Sequence, residues 1–302
     1  MSTPQQPEEN TLDQAADTFV RLRPRLFGIA YRILGSVVEA EDVVQDVWLR
    51  WQSTDRGVVQ EPRAFLARAT TRMAINVAQS ARVRREAYVG PWLPEPVDTG
   101  VDPQVGAERA EALEMAVLLL LEKLNPVERA AYVLREAFDY PYDQIANMLS
   151  LSQSNARQIV SRARKHLSAE RREPVRTAEH RRLLKAFVVA AQTGDVDALE
   201  KILSADVVAY ADGNGLRGVA QTRVTGVARV ARMSAFSRKF IHEADYHLVE
   251  ANGLPAVLIT TAQGEAAALV LAVVGHGGIE ELYWIMTPEK LGAYRRSSCR
   301  GA

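Results

Sequence analysis

YDQIANMLSLSQSNARQIVSRARKHL, from Tyr142 to Leu167, is the stretch on which the reading of this chain turns. Ile145, Ala146 and Leu149 share one face of a short helix, Ser150 interrupts it, and Leu151 follows the turn. Ser152 is placed to cap a second helix by accepting from a free backbone N–H. Behind it Ala156, Ile159, Val160, Ala163 and Leu167 form an apolar stripe. The opposite ridge carries Ser154, Arg157, Gln158, Ser161, Arg162 and Lys165. An arginine fork matches guanine, a glutamine amide matches adenine, and the remaining cations can neutralise phosphates. A solvated basic helix has the same spacing, but two helices around a tight turn favour a major-groove reader.

The 302 residues suffice for two or three domains, and an apolar fraction of 47% supplies their cores. Lys plus Arg and Asp plus Glu balance at 37 each, so no global field holds the protein on nucleic acid; local patches or a partner must do so. The single Cys299 cannot form an internal disulfide, and five scattered His with one Cys give no metal-ligand spacing. No cofactor motif is present. The opening MSTPQQPEEN is polar and reads as disordered rather than as a secretion signal. The apolar runs at 117–121 and 266–274 are too short to span a bilayer. A cytoplasmic protein with no membrane segment is expected.

Upstream, residues 12–88 look all-helical. Ser36 and Glu39 make a capping box, after which Ala40, Val43, Val44, Val47, Trp48 and Trp51 trace an apolar stripe. Glu39, Asp42 and Asp46 recur on another face beside Gln45, a pattern that fits plain surface or a dock for a basic partner. After the loop STDRGVVQEP, Pro62 starts a basic helix. Its inner positions are Leu66, Ala69, Met73 and Val77; Arg68, Arg72, Gln79 and Arg82 share an outer face, with Asn76 at its edge. One acidic and one basic helix in a small bundle suggest two different partners.

GPWLPEPVDTGVDPQ, from Gly90, cannot continue a helix and reads as a linker, though Trp92 and Leu93 among prolines suit docking as well as spacing. Asn125, Pro126 and Glu128 then open a helix that carries Ala130, Val133, Leu134, Ala137 and Phe138 inward. Past ERREPVRT the pattern changes. Helices at 178–192 and 197–203 precede strand-like segments at 207–211, 257–261, 267–274 and 279–286. This predicts a separate α+β domain.

Residues 26–167 together resemble an extracytoplasmic-function (ECF) sigma factor, the small bacterial class that keeps only domains two and four. The resemblance rests on EAEDVVQDVWLR at Glu39–Arg50, the helix from Phe65 to Arg85, LNPVERAAYVLREAF at Leu124–Phe138 and RAR at Arg162–Arg164. It implies that Glu41, Asp42, Gln45 and Asp46 dock on the clamp helices of the largest subunit of core RNA polymerase. It implies that Arg72, Asn76 and Gln79 serve the minus-ten element of promoter DNA, where an unstacked base is captured, and Arg68 and Arg82 on the same basic face join them as candidates. Ser154, Arg157, Gln158, Ser161, Arg162 and Lys165 would then serve the minus-thirty-five element.

WLPEP, GDVDAL at Gly194–Leu199, YADGNG at Tyr210–Gly215, NGLPA at Asn252–Ala256 and TPEKL at Thr287–Leu291 narrow the resemblance. They look like the subgroup with a fused SnoaL-like domain of the NTF2-like superfamily, a cone-shaped α+β barrel understood to regulate the sigma core in cis. Trp92, Leu93, Asp212, Pro288, Lys290 and Leu291 are its candidate regulatory contacts. The chain departs from the subgroup's DGGGK at Asp212–Leu216 and from its NPDKL at TPEKL, and Ser150 stands where a turn glycine is usual.

The expected organisation is multidomain: a disordered 1–11, an all-α sigma domain 2 at 12–89, a linker at 90–106 and an all-α sigma domain 4 with the helix-turn-helix at 107–172. The SnoaL-like domain follows at 177–295, with a flexible tail at 296–302. NTF2-like barrels include enzymes, for which Asp212, His242, Tyr246 and His247 are the available groups. An Asp in a Gly-rich loop more often shapes a turn, and two His five residues apart on a strand face opposite ways. A non-catalytic domain that contacts the sigma core, with a small-molecule ligand possible, is the expectation. A one-component DNA-binding regulator with a ligand sensor is the alternative, and an enzyme with an attached DNA-binding module a third reading; a simple regulator needs neither the acidic nor the second basic helix.

Overall fold

The computed structural model describes residues 12–100, 114–168, 177–237 and 244–299. The expected N-terminal segment, the end of the linker, the ERREPVRT joint, apart from its last residue Thr177, and His242 lie outside them. The chain divides into two compact units, one of residues 1–80 with 124–165 and the other of 81–123 with 166–302.

The first unit is helical. Helix α1 (Leu12–Leu34) buries Phe19, Leu26, Ile29 and Ile33, and α2 (Val37–Gln52) buries the predicted stripe from Ala40 to Trp51, with Trp48 half-buried against Phe19. Ser36 caps α2 by accepting from the N–H of Glu39, and Trp51 donates to the carbonyl of Ala15 at 3.0 Å. A 3-10 turn at Arg56–Val58 leads to α3 (Pro62–Glu86). Its buried face is wider than the predicted stripe. Leu66, Ala67, Ala74 and Ile75 are buried, as are Thr70 and Thr71, whose hydroxyls donate back to the carbonyls of Leu66 and Ala67. Met73 and Val77 are half-buried.

Helix α4 (Met115–Glu122) belongs to the second unit. In the first unit, α5 (Pro126–Glu136) starts with the complete capping box of Asn125 and Glu128. Helix α5 is pinned to α1 by Arg129, buried, whose guanidinium donates to the carbonyls of Ile33 at 2.7 Å and Leu124 at 3.4 Å. A buried cation is tolerable only when most of its donors find acceptors, and main-chain oxygens accept from both Nη1 and Nη2 here. Phe138 closes the same side. A Cβ on Gly28 would sit 3.2 Å from its ring, so glycine there permits the close approach.

Helix α6 (Tyr142–Leu149) and helix α7 (Gln153–Ser168) form the helix-turn-helix. Ser150 lies between them at φ 57°, the left-handed conformation that glycine takes without a steric penalty. Met148 is buried with Ile145 and Ala146, while Leu149 is half-buried, a one-position rotation of the predicted face.

The second unit is α+β. Helices α8 (Thr177–Thr193) and α9 (Val196–Ile202) precede β1 (Leu203–Asp212), β2 (Val224–Thr225), α10 (Val227–Phe236), β3 (Asp245–Ala251), β4 (Leu254–Thr260), β5 (Ala266–Gly275), β6 (Gly278–Ile285) and α11 (Pro288–Cys299). The sheet order is β2-β1-β6-β5-β4-β3, with β1 parallel to β6 and the other neighbours antiparallel. The antiparallel β3–β6 run is a meander of adjacent strands, and the parallel β1–β6 pair brings the first strand to its end. One face packs on α8 and α10 through Phe187, Val230, Val270 and Trp284; the other packs Leu271, Tyr283 and Leu291 against Leu93 and Met115. The helix α10 was not anticipated, strand β3 takes up the end of the stretch weighed as a strand for His247, and α11 continues to Cys299 through the first residues of the expected tail. Helix α4, expected with the helix-turn-helix, contributes Met115 to the core of this unit.

Candidate DNA-reading surfaces and the linker clamp

All six ridge residues of α7, Ser154, Arg157, Gln158, Ser161, Arg162 and Lys165, are exposed, while the stripe from Ala156 to Leu167 is buried. Ser152 caps the helix by accepting from the N–H of Asn155 at 3.2 Å. Arg157 lies over the ring of Tyr142 at 5.5 Å, which fixes the side of α7 from which its guanidinium projects. Arg164, in the RAR sequence, instead pairs with Glu136 at 2.7 Å and so braces α7 on α5.

On α3, Arg68, Arg72, Asn76 and Gln79 are exposed on the predicted outer face; the side chain of Arg82 lies outside the described residues. Arg72 is engaged within the unit. Its Nε donates to the carbonyl of Met148 at 3.0 Å and its Nη2 to the hydroxyl of Ser150 at 2.5 Å. On α2, Asp42, Gln45 and Asp46 are exposed, and Glu41 is half-buried in an ion pair with Arg23.

The most elaborate polar cluster is in the second unit, around Asp212. The sequence reading placed this residue in a turn; it is instead the last residue of β1 and fully buried. Its carboxylate accepts from the Leu93 N–H at 2.7 Å, the Thr287 hydroxyl at 3.2 Å, the Lys290 ammonium at 2.6 Å and the Tyr88 hydroxyl. Lys290 also donates to the carbonyl of Leu93 and lies 4.5 Å from the ring centre of Trp92. Arg85 stacks on the same ring at 3.5 Å and pairs with Glu122. The linker is thus gripped on both polar edges of Leu93 while the Leu93 side chain enters the core beside Leu291. Pro288 is exposed at the start of α11.

A second set of bonds holds the linker further on. Val97 and Asn252 exchange main-chain and side-chain bonds at 2.9 and 3.2 Å, Asp98 bridges to Ala251, and the Thr99 hydroxyl donates to Glu250 at 2.9 Å. Burial lowers the pKa of Lys290, against the pull of Asp212, and burial with the Asp212 bond raises that of Tyr88. Tyr88 was missed by the sequence reading, and Thr287 and Asn252 entered it only as the first residues of TPEKL and NGLPA, with no contact assigned to either side chain. Their partners lie far away in sequence, and no local spacing marks them.

Of the remaining groups considered for catalysis, Tyr246 is half-buried with its pKa raised by burial, and His247 is exposed with Nε2 3.1 Å from the Thr260 hydroxyl. Among the described residues no cluster of His, Cys, Asp or Glu could hold a metal ion, and no helix is long and apolar enough to cross a membrane.

Residues 18–86 match the family Sigma-70 region 2, and residues 114–167 match Sigma-70, region 4. The ECF RNA polymerase sigma factor SigJ of Mycobacterium tuberculosis is 38% identical over 222 residues, 71% of this chain and 70% of the relative. The chain belongs to the ECF sigma factors. The probable ECF RNA polymerase sigma factor SigI of the same species is 31% identical over 90% of this chain and 93% of its own length. The crystal structure of the M. tuberculosis ECF sigma factor SigJ superposes with a TM-score of 0.72 at 30% identity, covering 92% of this chain and 98% of that one. An ECF sigma factor works as a transcription factor with core RNA polymerase and promoter DNA, and the architecture of helical sigma regions followed by an α+β domain is the one the SnoaL-like resemblance implied.

Proposed function

We propose that this ECF sigma factor docks on the clamp helices of the largest polymerase subunit through Glu41, Asp42, Gln45 and Asp46. It reads the minus-ten element with Arg68, Arg72, Asn76, Gln79 and Arg82, and the minus-thirty-five element with Ser154, Arg157, Gln158, Ser161, Arg162 and Lys165. Its C-terminal domain regulates these steps in cis, without catalysis, by holding the linker through Trp92, Leu93, Asp212, Lys290 and Leu291. A cytoplasmic location follows from this role.

The observation that carries the cis-regulatory reading is the Asp212 carboxylate with linker and C-terminal donors on the same two oxygens. Asp212 spends its acceptor capacity on structure, which also supports the non-catalytic reading. Free DNA offers little to a chain of net charge zero, so promoter binding that depends on polymerase fits the composition.

The test is in vitro transcription with core polymerase and a library of promoter fragments, comparing the full chain with its Asp212→Ala variant. Polymerase-dependent initiation at a defined promoter set, altered in strength by the substitution, is expected. Initiation of equal strength would remove the cis-regulatory part, and no initiation with retained DNA binding would remove the sigma assignment of these surfaces.

A further inference from the structure

A cavity of about 260 Å3 opens in the second unit. Its wall is apolar, with Ala211, Val219, Met233, Trp284 and Met286 among the lining residues. Leu216 and Phe236, 42% and 47% exposed, also line it, so its mouth presents large apolar side chains to water. Exposed apolar groups around a concave apolar site are what a small-molecule pocket presents, and the volume falls just below the ~300 Å3 at which drug-sized pockets begin.

One cation bears on what would fill it. Arg217 contributes to the lining, is exposed, and has no hydrogen-bond or ion-pair partner among the described residues. Apolar walls with one such cation at the rim suit an organic acid with a compact ring or short aliphatic body.

The cavity adjoins the clamp through the backbone. Ala211 directly precedes Asp212, and the N–H of Met286 donates to the Asp212 carbonyl at 2.9 Å, one residue before Thr287. An occupant pressing on Ala211 or Met286 therefore bears on the two strand ends that hold Leu93. We propose that this cavity binds a small apolar carboxylic acid and that occupancy shifts the grip of Asp212 on the linker. The coupling rests on the cis-regulatory reading above; the binding site does not.

The test titrates the full chain with naphthalene-2-carboxylate, and with 2-naphthamide as the uncharged analogue, by calorimetry. Hydrogen exchange is followed in the peptide containing Leu93. Saturable binding of the acid is expected, weakened about tenfold by Arg217→Gln with the amide unaffected, and abolished by filling the cavity with Ala267→Phe. Ala220→Phe, in the loop, is the second filling variant should the strand variant fail to fold. Binding of the acid should change exchange at Leu93. Absence of saturable binding of the acid up to about 1 mM, or binding indifferent to the filling substitution, overturns the site. Binding with unchanged exchange overturns the coupling. Because neither readout involves transcription, these failures are distinct from failure of the cis-regulatory reading, which the promoter assay detects.

Discussion

The Arg72 guanidinium donates through Nε to the Met148 carbonyl at 3.0 Å, joining the helix proposed to serve the minus-ten element to the helix-turn-helix. Arg72 cannot hold Met148 and grip a phosphate or base with the same donors. DNA engagement and this internal bond therefore compete. An exposed charged hydrogen bond contributes on the order of 1 kcal/mol, small enough for polymerase and promoter contacts to outweigh.

Removing the competing bond should loosen the pairing of α3 with α6. With Cys299 replaced by serine and spin labels at Ser80 and Asn147, Arg72→Ala is expected to broaden the distance distribution measured by electron-electron double resonance. A distribution unchanged from the parent would mean that packing elsewhere, such as Arg129 on Ile33, sets the spacing alone.

Asp212→Ala leaves the Lys290 ammonium buried without its carboxylate and the Leu93 N–H without its acceptor. Breaking a buried pair from one side costs about 3–5 kcal/mol. Faster hydrogen exchange across residues 88–99 and a lower melting temperature are expected. Double substitution with Lys290→Met should recover part of the loss, because it removes the stranded charge; no recovery would mean that the Tyr88 and Leu93 bonds dominate.

The six exposed residues of α7 should separate by role on a duplex carrying the minus-thirty-five element. Arg157→Ala or Gln158→Ala is expected to relax base preference at one position with a loss of about 1–3 kcal/mol. Lys165→Ala should weaken all sequences alike and lower the slope of log affinity against log salt by about 1. Competition binding of polymerase holoenzyme to single-base promoter variants checks both, and uniform losses from all three substitutions would reduce α7 to a phosphate-binding helix.

His180, on α8, is buried with Nε2 unpartnered, and burial depresses its pKa below the ordinary value of 6.5. The unfolded chain therefore binds a proton more readily than the folded one. Stability from this residue is fully present above about pH 6.5 and falls as the pH drops through the window below it. Chemical denaturation between pH 8 and 5 should show a decline that His180→Leu reduces; equal declines in both proteins would assign the acid sensitivity elsewhere.

The local features of this chain were legible in its sequence because they depend on neighbours a few residues apart. The Ser36 and Asn125 caps, the apolar stripes of α2 and α7 and the exposed ridge from Ser154 to Lys165 all arise from helical periodicity and free N–H groups, which any reader of the order of residues can count. The departure at Ser150 was visible, and its left-handed backbone is the conformation a turn glycine would have taken. Tertiary structure alone decided where the charges went. By local sequence Asp212 reads as a turn residue, because YADGNG is locally a turn sequence, and only the family resemblance put it among the regulatory contacts; it anchors the linker because β1, lying parallel to β6, brings its end beside Thr287 and Lys290 and receives Tyr88 and Leu93 from more than a hundred residues away. Arg72 looked free because helical spacing shows only which face is outward, not what another helix places against that face. Periodicity determines which residues can be buried or exposed, whereas the partner of a buried charge is chosen by packing between segments remote in sequence.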